Sequence, residues 1–125
     1  MITAADEALA QSWWMTWHGT ELPAFLLNTP HSLLLTHRGE PAITAFLHRT
    51  DSGMALIEPM VANPALSSEE RGPLVEELSQ AMVYLAHELG CNCVIAMTTS
   101  ARLEKRLLNQ GFHVAPGKML MKGLK

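Results

Sequence analysis

The chain has 125 residues, of which 48% are hydrophobic and 17% are charged, and its formal net charge is -3. These values are typical of one folded domain, and we expect that domain to span residues 1–125. A mildly acidic chain lacks the basic footprint of a nucleic-acid-binding protein, so no nucleic-acid partner is predicted. No apolar run approaches the ~20 residues that cross a membrane, and the first residues lack a basic secretory start. The prediction is therefore a cytoplasmic protein without membrane attachment.

The residue types that bind metals do not occur here at metal-site spacings. Cys91 and Cys93 flank a single residue, which fits neither a four-ligand zinc site nor a redox pair with a two-residue gap. No histidine pair has the spacing of a helical metal site. No metal is predicted, and both thiols are expected to be reduced and buried.

The hydrophobic pattern predicts helices first, then a meander of strands, then a helix between two further strands. The first helix covers Thr3 to about Trp17, and a second, short one covers the segment from Leu22 to Leu27. Turn residues then separate three antiparallel strands, at 32–37, 42–48 and 54–61. The remaining elements are a long helix with an apolar stripe, a buried strand at 93–97 parallel to the third strand, a helix at 100–108 and a final strand at 118–122. Pro59 cannot donate to a ladder, so we expect a bulge beside it.

Two segments carry a family resemblance. Glu88-Leu89-Gly90-Cys91 leads into the buried strand, and the next helix ends on Asn109-Gln110-Gly111-Phe112. Together with the order of elements, they resemble the GNAT acyltransferase superfamily over about residues 32–122. The resemblance implies an α/β (α+β) fold, with a mixed, mostly antiparallel twisted sheet, a central splayed strand pair, two N-terminal helices, one long helix and one short C-terminal helix. In that family acyl-CoA lies between the splayed strands, with pantetheine on strand backbone and pyrophosphate on the N-terminus of the long helix.

The phosphate motif of that family is only partly present. The family pattern is Gln or Arg, two residues, Gly, one residue, then Gly or Ala. In the matching window, Glu69 to Leu74, only Gly72 fits the pattern. Glu69 places an acid where the family has a donor.

Two starts of the long helix remain open. In one, Ser67 and Glu70 form a capping box that satisfies the first amides. In the other, Gly72 is the N-cap and Pro73 the first helical residue, which is favoured because proline is well tolerated there. The second start leaves phosphate-binding groups available, namely the Arg71 side chain, the Gly72 backbone and the amides of Leu74 and Val75.

The third predicted strand supplies the other candidate residues. Glu58 would be the base that deprotonates an amine, because burial beside the bulge would raise its pKa. By resemblance, Met60 and Val61 would bond pantetheine. The family's tyrosine acid falls at Leu107, which has no proton to give. Thr98-Thr99-Ser100 is interpreted either as the cap of the next helix or as a ligand site at a strand end.

The sequence therefore supports two hypotheses about function. The first is an N-acyltransferase that moves an acyl group from acetyl-CoA, or another acyl-CoA, to an amine. The alternative is an inactive GNAT-fold structural or interaction protein, resembling small phage-encoded and virion-associated proteins. It would bind a protein partner through Trp13, Trp14 and Trp17, or form a homo-oligomer. Core packing is the competing interpretation of these tryptophans.

Overall fold

The computed structural model describes residues 4–98 and 100–124, in which helices pack on both faces of one four-stranded sheet. The helices are α1 (Ala4–His18), a short 3-10 helix (Ala24–Leu27), α2 (Ser68–Glu88) and α3 (Ala101–Asn109). The strands are β1 (Ser32–His37), β2 (Glu40–Arg49), β3 (Met54–Ala62) and β4 (Cys93–Ala96). The predicted mixed α/β fold is confirmed. Thr3, at the start of the first predicted helix, and Thr99, in the Thr98-Thr99-Ser100 segment, lie outside the described residues.

The sheet has the order β1-β2-β3-β4, with β1 to β3 antiparallel and β4 parallel to β3. The hairpin between β1 and β2 turns on Arg38 and Gly39, whose φ angles of 54° and 79° are both positive. Two central residues of positive φ are typical of the tight turn that matches strand twist. The predicted meander is therefore confirmed, although β2 begins at Glu40, inside the predicted turn.

β3 diverges from β4 in the middle of its length. Pairing between them runs only from Met54 with Cys93 to Ile57 with Ala96, whereas β3 continues to Ala62. Over the same stretch the register of β3 against β2 shifts, so that an extra residue is accommodated near Pro59. The predicted bulge and the splayed strand pair are both confirmed.

The core has two parts, one on each face of the sheet. On one face, α2 packs its apolar stripe against alternate side chains of β2 and β3; the buried residues there include Ala45, Leu47, Ile57, Leu74, Leu78 and Met82. On the other face, α1 packs against the sheet through a smaller cluster, Ala10, Trp13, Leu22, Leu27, Phe46 and Val61. The alternation of side chains along β2 divides the two parts.

The long helix begins at Ser68 with Ser67 as its N-cap, so the predicted start at Gly72 and Pro73 is wrong. The Ser67 hydroxyl accepts the Glu70 amide at 3.2 Å, and the Glu70 carboxylate accepts the Ser67 amide at 3.0 Å. Pro73 lies inside the helix, where it removes one helical bond at a cost of ~3 kcal/mol. The capping box and the burial of Leu74 in the core offset that cost.

The predicted strand at 118–122 is also wrong. After α3 the described chain, up to residue 124, has no regular secondary structure. Met119, Leu120 and Met121 are 57%, 92% and 86% exposed. Alternating apolar residues predict a strand only if a partner strand lies alongside, and none of the described strands pairs with this segment.

None of the helices in the described ranges combines the length and the apolar character needed to traverse a membrane.

The capping box makes a stability prediction. Ser67→Ala should lower the free energy of unfolding by about 1 kcal/mol, because it removes the side chain that accepts the Glu70 amide. Urea denaturation measures this loss. Ser68→Ala, one residue inside the helix, is the matched control and should have little effect. An equal loss in both variants would show that Ser67 does not act as the cap.

Candidate functional site

The divergence of β3 from β4 opens a mostly apolar cleft of about 290 Å³. Its walls are the end of α1, the second half of β3, the end of β4 and one face of α3. The residues lining it are Trp14, Trp17, His18, Ile57, Glu58, Met60, Val61, Ala62, Ser79, Ala96, Met97, Thr98, Ser100, Leu103 and Leu107. The cleft therefore brings together the predicted base and the predicted pantetheine residues.

The backbone of β3 faces this cleft at alternate residues. The Asn63 amide donates to the Ala42 carbonyl of β2 at 2.8 Å. Because successive residues of a strand direct their backbone groups to opposite edges, Val61 also faces β2, whereas Met60 and Ala62 face the cleft. The Trp17 indole agrees with this assignment, since its Nε1 donates to the Ala62 carbonyl at 2.7 Å. Backbone bonds predicted for Val61 are thus available from Met60 and Ala62 instead.

Glu58 is the only carboxylate among the described residues that line the cleft. It is half-buried, and burial raises the pKa of its carboxyl above the ordinary value of 4.5. The cleft lining also includes His18 and Trp14, whose ring centroids are 3.9 Å apart. Ionisation of a carboxyl group in an apolar cleft is costly, so its carboxylate form is suited to accept a proton from a bound amine.

Neither the position of the family's tyrosine nor the two serines of the cleft supply an acid. Leu107 is buried and lines the cleft at the position of the family's tyrosine, so no proton donor stands there. Ser79 donates its hydroxyl to the Val75 carbonyl at 2.7 Å. Ser100 caps α3 by accepting the Leu103 amide at 3.3 Å, which favours the helix-cap interpretation of that segment.

A second cavity, of about 240 Å³, adjoins the cleft at the first half of α2. We call it the arginine pocket, since Arg71, Arg102 and Arg106 all line it. The other lining residues are Trp17, Ser68, Gly72, Val75, Ser100 and Leu103. Three of these, Trp17, Ser100 and Leu103, line the cleft as well, so the two cavities are adjacent.

Gly72 leaves room for the Arg106 guanidinium of α3 against α2. A Cβ atom built at Gly72 would lie 2.6 Å from Nη2 of Arg106, so a side chain at that position would displace the guanidinium. Arg71 donates to the Leu66 carbonyl, and its guanidinium lies 5.0 Å from the centroid of the Trp17 ring. Arg102 and Arg106 were not among the predicted phosphate-binding residues, although their spacing of four residues on a helix indicates a shared face.

The predicted phosphate residues are divided by the structure. Arg71, Gly72 and Val75 line the arginine pocket, whereas Leu74 is buried in the core. Since α2 begins at Ser68, the amides of Leu74 and Val75 lie in the helix interior, where an amide bonds the carbonyl four residues back. The prediction that these two amides bind phosphate is therefore wrong. An anion here would meet the guanidinium groups of the arginine pocket.

The three tryptophans have different environments. Trp13 is 5% exposed and belongs to the core, so it cannot form part of a partner surface. Trp14 is partly buried and lines the cleft. Trp17 is 44% exposed, which contradicts its assignment to the core.

Metal-ligating side chains are dispersed in the structure. Within the ranges 4–98 and 100–124, no three His, Cys, Asp or Glu residues are grouped so that they could hold a metal ion. Both cysteines are free thiols, but Cys91 is half-buried and Cys93 is exposed, so the prediction that both are buried is wrong. The two lie at the start of β4, where the sheet edge leaves them accessible.

Comparisons with known proteins identify the architecture. No protein-family model and no curated protein sequence matches this chain. Among solved structures, TTHA1254 from Thermus thermophilus superimposes with a TM-score of 0.72 at 20% identity, covering 99% of this chain and 95% of that one. The ribosomal-protein-S18-alanine N-acetyltransferase of Escherichia coli gives 0.71 at 16% identity over 92% of this chain and 76% of that one. The fold is that of the GNAT acetyltransferases.

A third similar structure contains the ligand that the resemblance implies. Rv2747 of Mycobacterium tuberculosis, solved in complex with CoA, gives a TM-score of 0.74 at 16% identity, covering 95% of this chain and 73% of that one. Identities at this level establish a shared fold and leave the chemistry to be argued from the residues of the site.

The raised pKa of Glu58 makes a prediction about stability. The Glu58 carboxyl binds its proton more tightly in the folded state than in the unfolded state. The folded protein therefore loses stability as the pH rises from the unfolded pKa of this group through its folded pKa. Glu58→Gln should therefore raise the melting temperature at pH 7, and the gain should vanish below the ordinary value of 4.5. Calorimetry across this pH range measures the effect. A variant less stable than the parent at pH 7 would contradict the assigned cause.

Proposed function

We propose that this protein is an N-acyltransferase that transfers an acyl group from acetyl-CoA, or another acyl-CoA, to an amine. The observation that carries the proposal is that two cavities of different chemistry lie side by side. A mostly apolar cleft, with Glu58 as the carboxylate among its described lining residues, adjoins a pocket lined by three arginines. Acyl-CoA has the matching division, with an acylated pantetheine arm at one end and a charged pyrophosphate at the other.

In this proposal the arginine pocket holds the pyrophosphate. Guanidinium groups form paired, charge-assisted hydrogen bonds with phosphate oxygens, which makes them effective substitutes for helix amides. The Arg106 guanidinium occupies the space left by the missing side chain of Gly72, and Arg71 and Arg102 complete the pocket. The amides of Ser67 and Glu70 do not take part, because the capping box already satisfies them.

The pantetheine arm would extend along β3. It carries two amide groups, and a strand edge without a partner binds such groups as it would bind another strand. Met60 and Ala62 direct their backbone toward that edge, and β4 as described does not continue past Ala96 to cover it. The thioester would then reach Glu58, farther along β3 and away from the arginine pocket.

The reaction needs one proton acceptor and one leaving group. The amine nitrogen attacks the thioester carbonyl, a C–N bond forms, and Glu58 accepts the proton that the nitrogen loses. The C–S bond then breaks, and the CoA thiolate leaves and takes its proton from water. Thiols have an ordinary pKa of about 8.5, so the thiolate is a good leaving group without a side-chain acid at the position of Leu107.

The alternative, an inactive GNAT-fold interaction protein of a phage virion, has one observation in its favour. The capping box places Glu69 and Glu70 at the positive end of the α2 dipole, where acids repel phosphate. The opposing observation is that the three arginines converge on the same end of the helix. Location in the cytoplasm, an amine acceptor, a protein partner at Trp14 or Trp17 and a homo-oligomer all remain predictions.

Calorimetric titration with CoA and acetyl-CoA tests the arginine pocket. Arg106→Ala should weaken binding by about tenfold or more, the typical effect of losing a hydrogen bond to a charged group. Lys105→Ala is the matched control, because it removes a charge from the same helix outside the pocket. No binding to the parent protein at millimolar ligand would reject the enzyme proposal and favour the interaction protein. An equal effect of both variants would mean that only net charge matters.

Turnover tests the role of Glu58. The rate of acyl transfer to a simple amine should rise with pH as Glu58 loses its proton, and the midpoint should lie above the ordinary carboxyl value of 4.5. Glu58→Gln should reduce the rate about 100-fold or more while CoA binding is retained. Release of free thiol from acetyl-CoA measures both quantities. A fully active Glu58→Gln variant would remove Glu58 from the mechanism.

A further inference from the structure

We infer that Trp17 competes with the pantetheine arm of the ligand for the edge of β3, so that the free protein partly closes its own acyl-CoA site. This inference rests on the proposed function. It concerns a residue that neither the reaction nor the phosphate contacts require. Trp17 would act as a gate. The free energy needed to displace it would lower the net affinity for the ligand.

The first observation is the hydrogen bond made by the indole. Nε1 of Trp17 donates to the Ala62 carbonyl at 2.7 Å. Ala62 is one of two residues in the second half of β3, with Met60, whose backbone faces the cleft. One of the two carbonyls that a bound amide could use on this edge is therefore already occupied by a side chain of the same molecule.

The second observation is the position of the ring. Trp17 lines both the cleft and the arginine pocket, so it lies where a ligand would pass from one to the other. Its ring also faces the Arg71 guanidinium, which lies 5.0 Å from the ring centroid. The same side chain thus restrains one group of each half of the proposed site.

The third observation is that Trp17 is not held by the core. It is 44% exposed, whereas Trp13, one helical turn earlier, is 5% exposed and packed beneath the sheet. An aromatic side chain at the rim of a cavity can change rotamer without opening a cavity in the core. Displacement of the ring by a ligand is therefore local, and the rest of α1 need not move.

Binding of two ligands to Trp17→Phe tests the inference. Phenylalanine keeps a ring over Arg71 but removes the N–H, so CoA should bind roughly 3- to 10-fold more tightly, the factor associated with one neutral hydrogen bond. ADP contains a pyrophosphate but no pantetheine, and its affinity should not change. Trp14→Phe is the matched control, since Trp14 lines the cleft and makes no bond to Ala62.

The outcomes separate the gate from the function. If the parent protein binds CoA and Trp17→Phe binds it no more tightly, the gate is rejected and the acyltransferase proposal stands. If neither protein binds CoA or ADP, both are rejected. An increase for both ligands would also reject the competition, because it would place the effect at the arginine pocket.

Nuclear magnetic resonance supplies a direct readout of the bond. The indole N–H signal of Trp17 can be assigned by its loss in Trp17→Phe. Saturation with CoA should shift this signal as the Ala62 bond breaks, and by more than ADP shifts it from the arginine pocket. A signal that keeps its position when CoA is bound would overturn the inference.

Discussion

The separation of β3 from β4 is the constraint on which the rest of the site depends. Backbone pairing between the two strands ends at Ile57 and Ala96, and the register shift near Pro59 turns the remainder of β3 away. An edge strand within a folded domain exposes donors and acceptors that need partners. Here the split leaves such groups facing a cleft, and every proposed contact with a pantetheine arm follows from that opening.

The N-terminus of α2 combines a capped helix start with nearby arginines. The Ser67 capping box stabilises this start and satisfies the amides of Ser67 and Glu70. Positive charge at the same place comes from side chains, because Arg102 and Arg106 of α3 line the arginine pocket together with Arg71. Since Gly72 has no side chain, the Arg106 guanidinium has room against α2. In our proposal this guanidinium binds phosphate.

In our proposal, stability and chemistry oppose each other at Glu58. Burial raises the pKa of this carboxyl, so at neutral pH its ionised form destabilises the fold. The same burial makes it a stronger proton acceptor. Residues retained at a cost in stability are expected at functional sites, because packing alone would favour an apolar or neutral side chain there.

Local patterns in the sequence determined most of the secondary structure. The period of apolar residues marks α2 and the strands, and Pro59 alone indicates the bulge. The start of α2 was predicted wrongly from local preferences. The free-energy cost of a proline inside the helix is offset by the capping box together with the burial of Leu74. The segment at 118–122 was also predicted wrongly, since a strand exists only where a partner is available.

The site was determined by tertiary structure to a larger degree. The position of Glu58 and Met60 beside the cleft could be predicted from the chain, because the bulge and the strand end are adjacent in sequence. The arginine pocket could not, because Arg71 lies on one helix and Arg106 on another, and only their packing across Gly72 brings them together. Sequence thus determines which elements form, through local periodicity and turn chemistry. Contacts between distant elements determine where charge and open backbone meet, since those depend on the packed sheet.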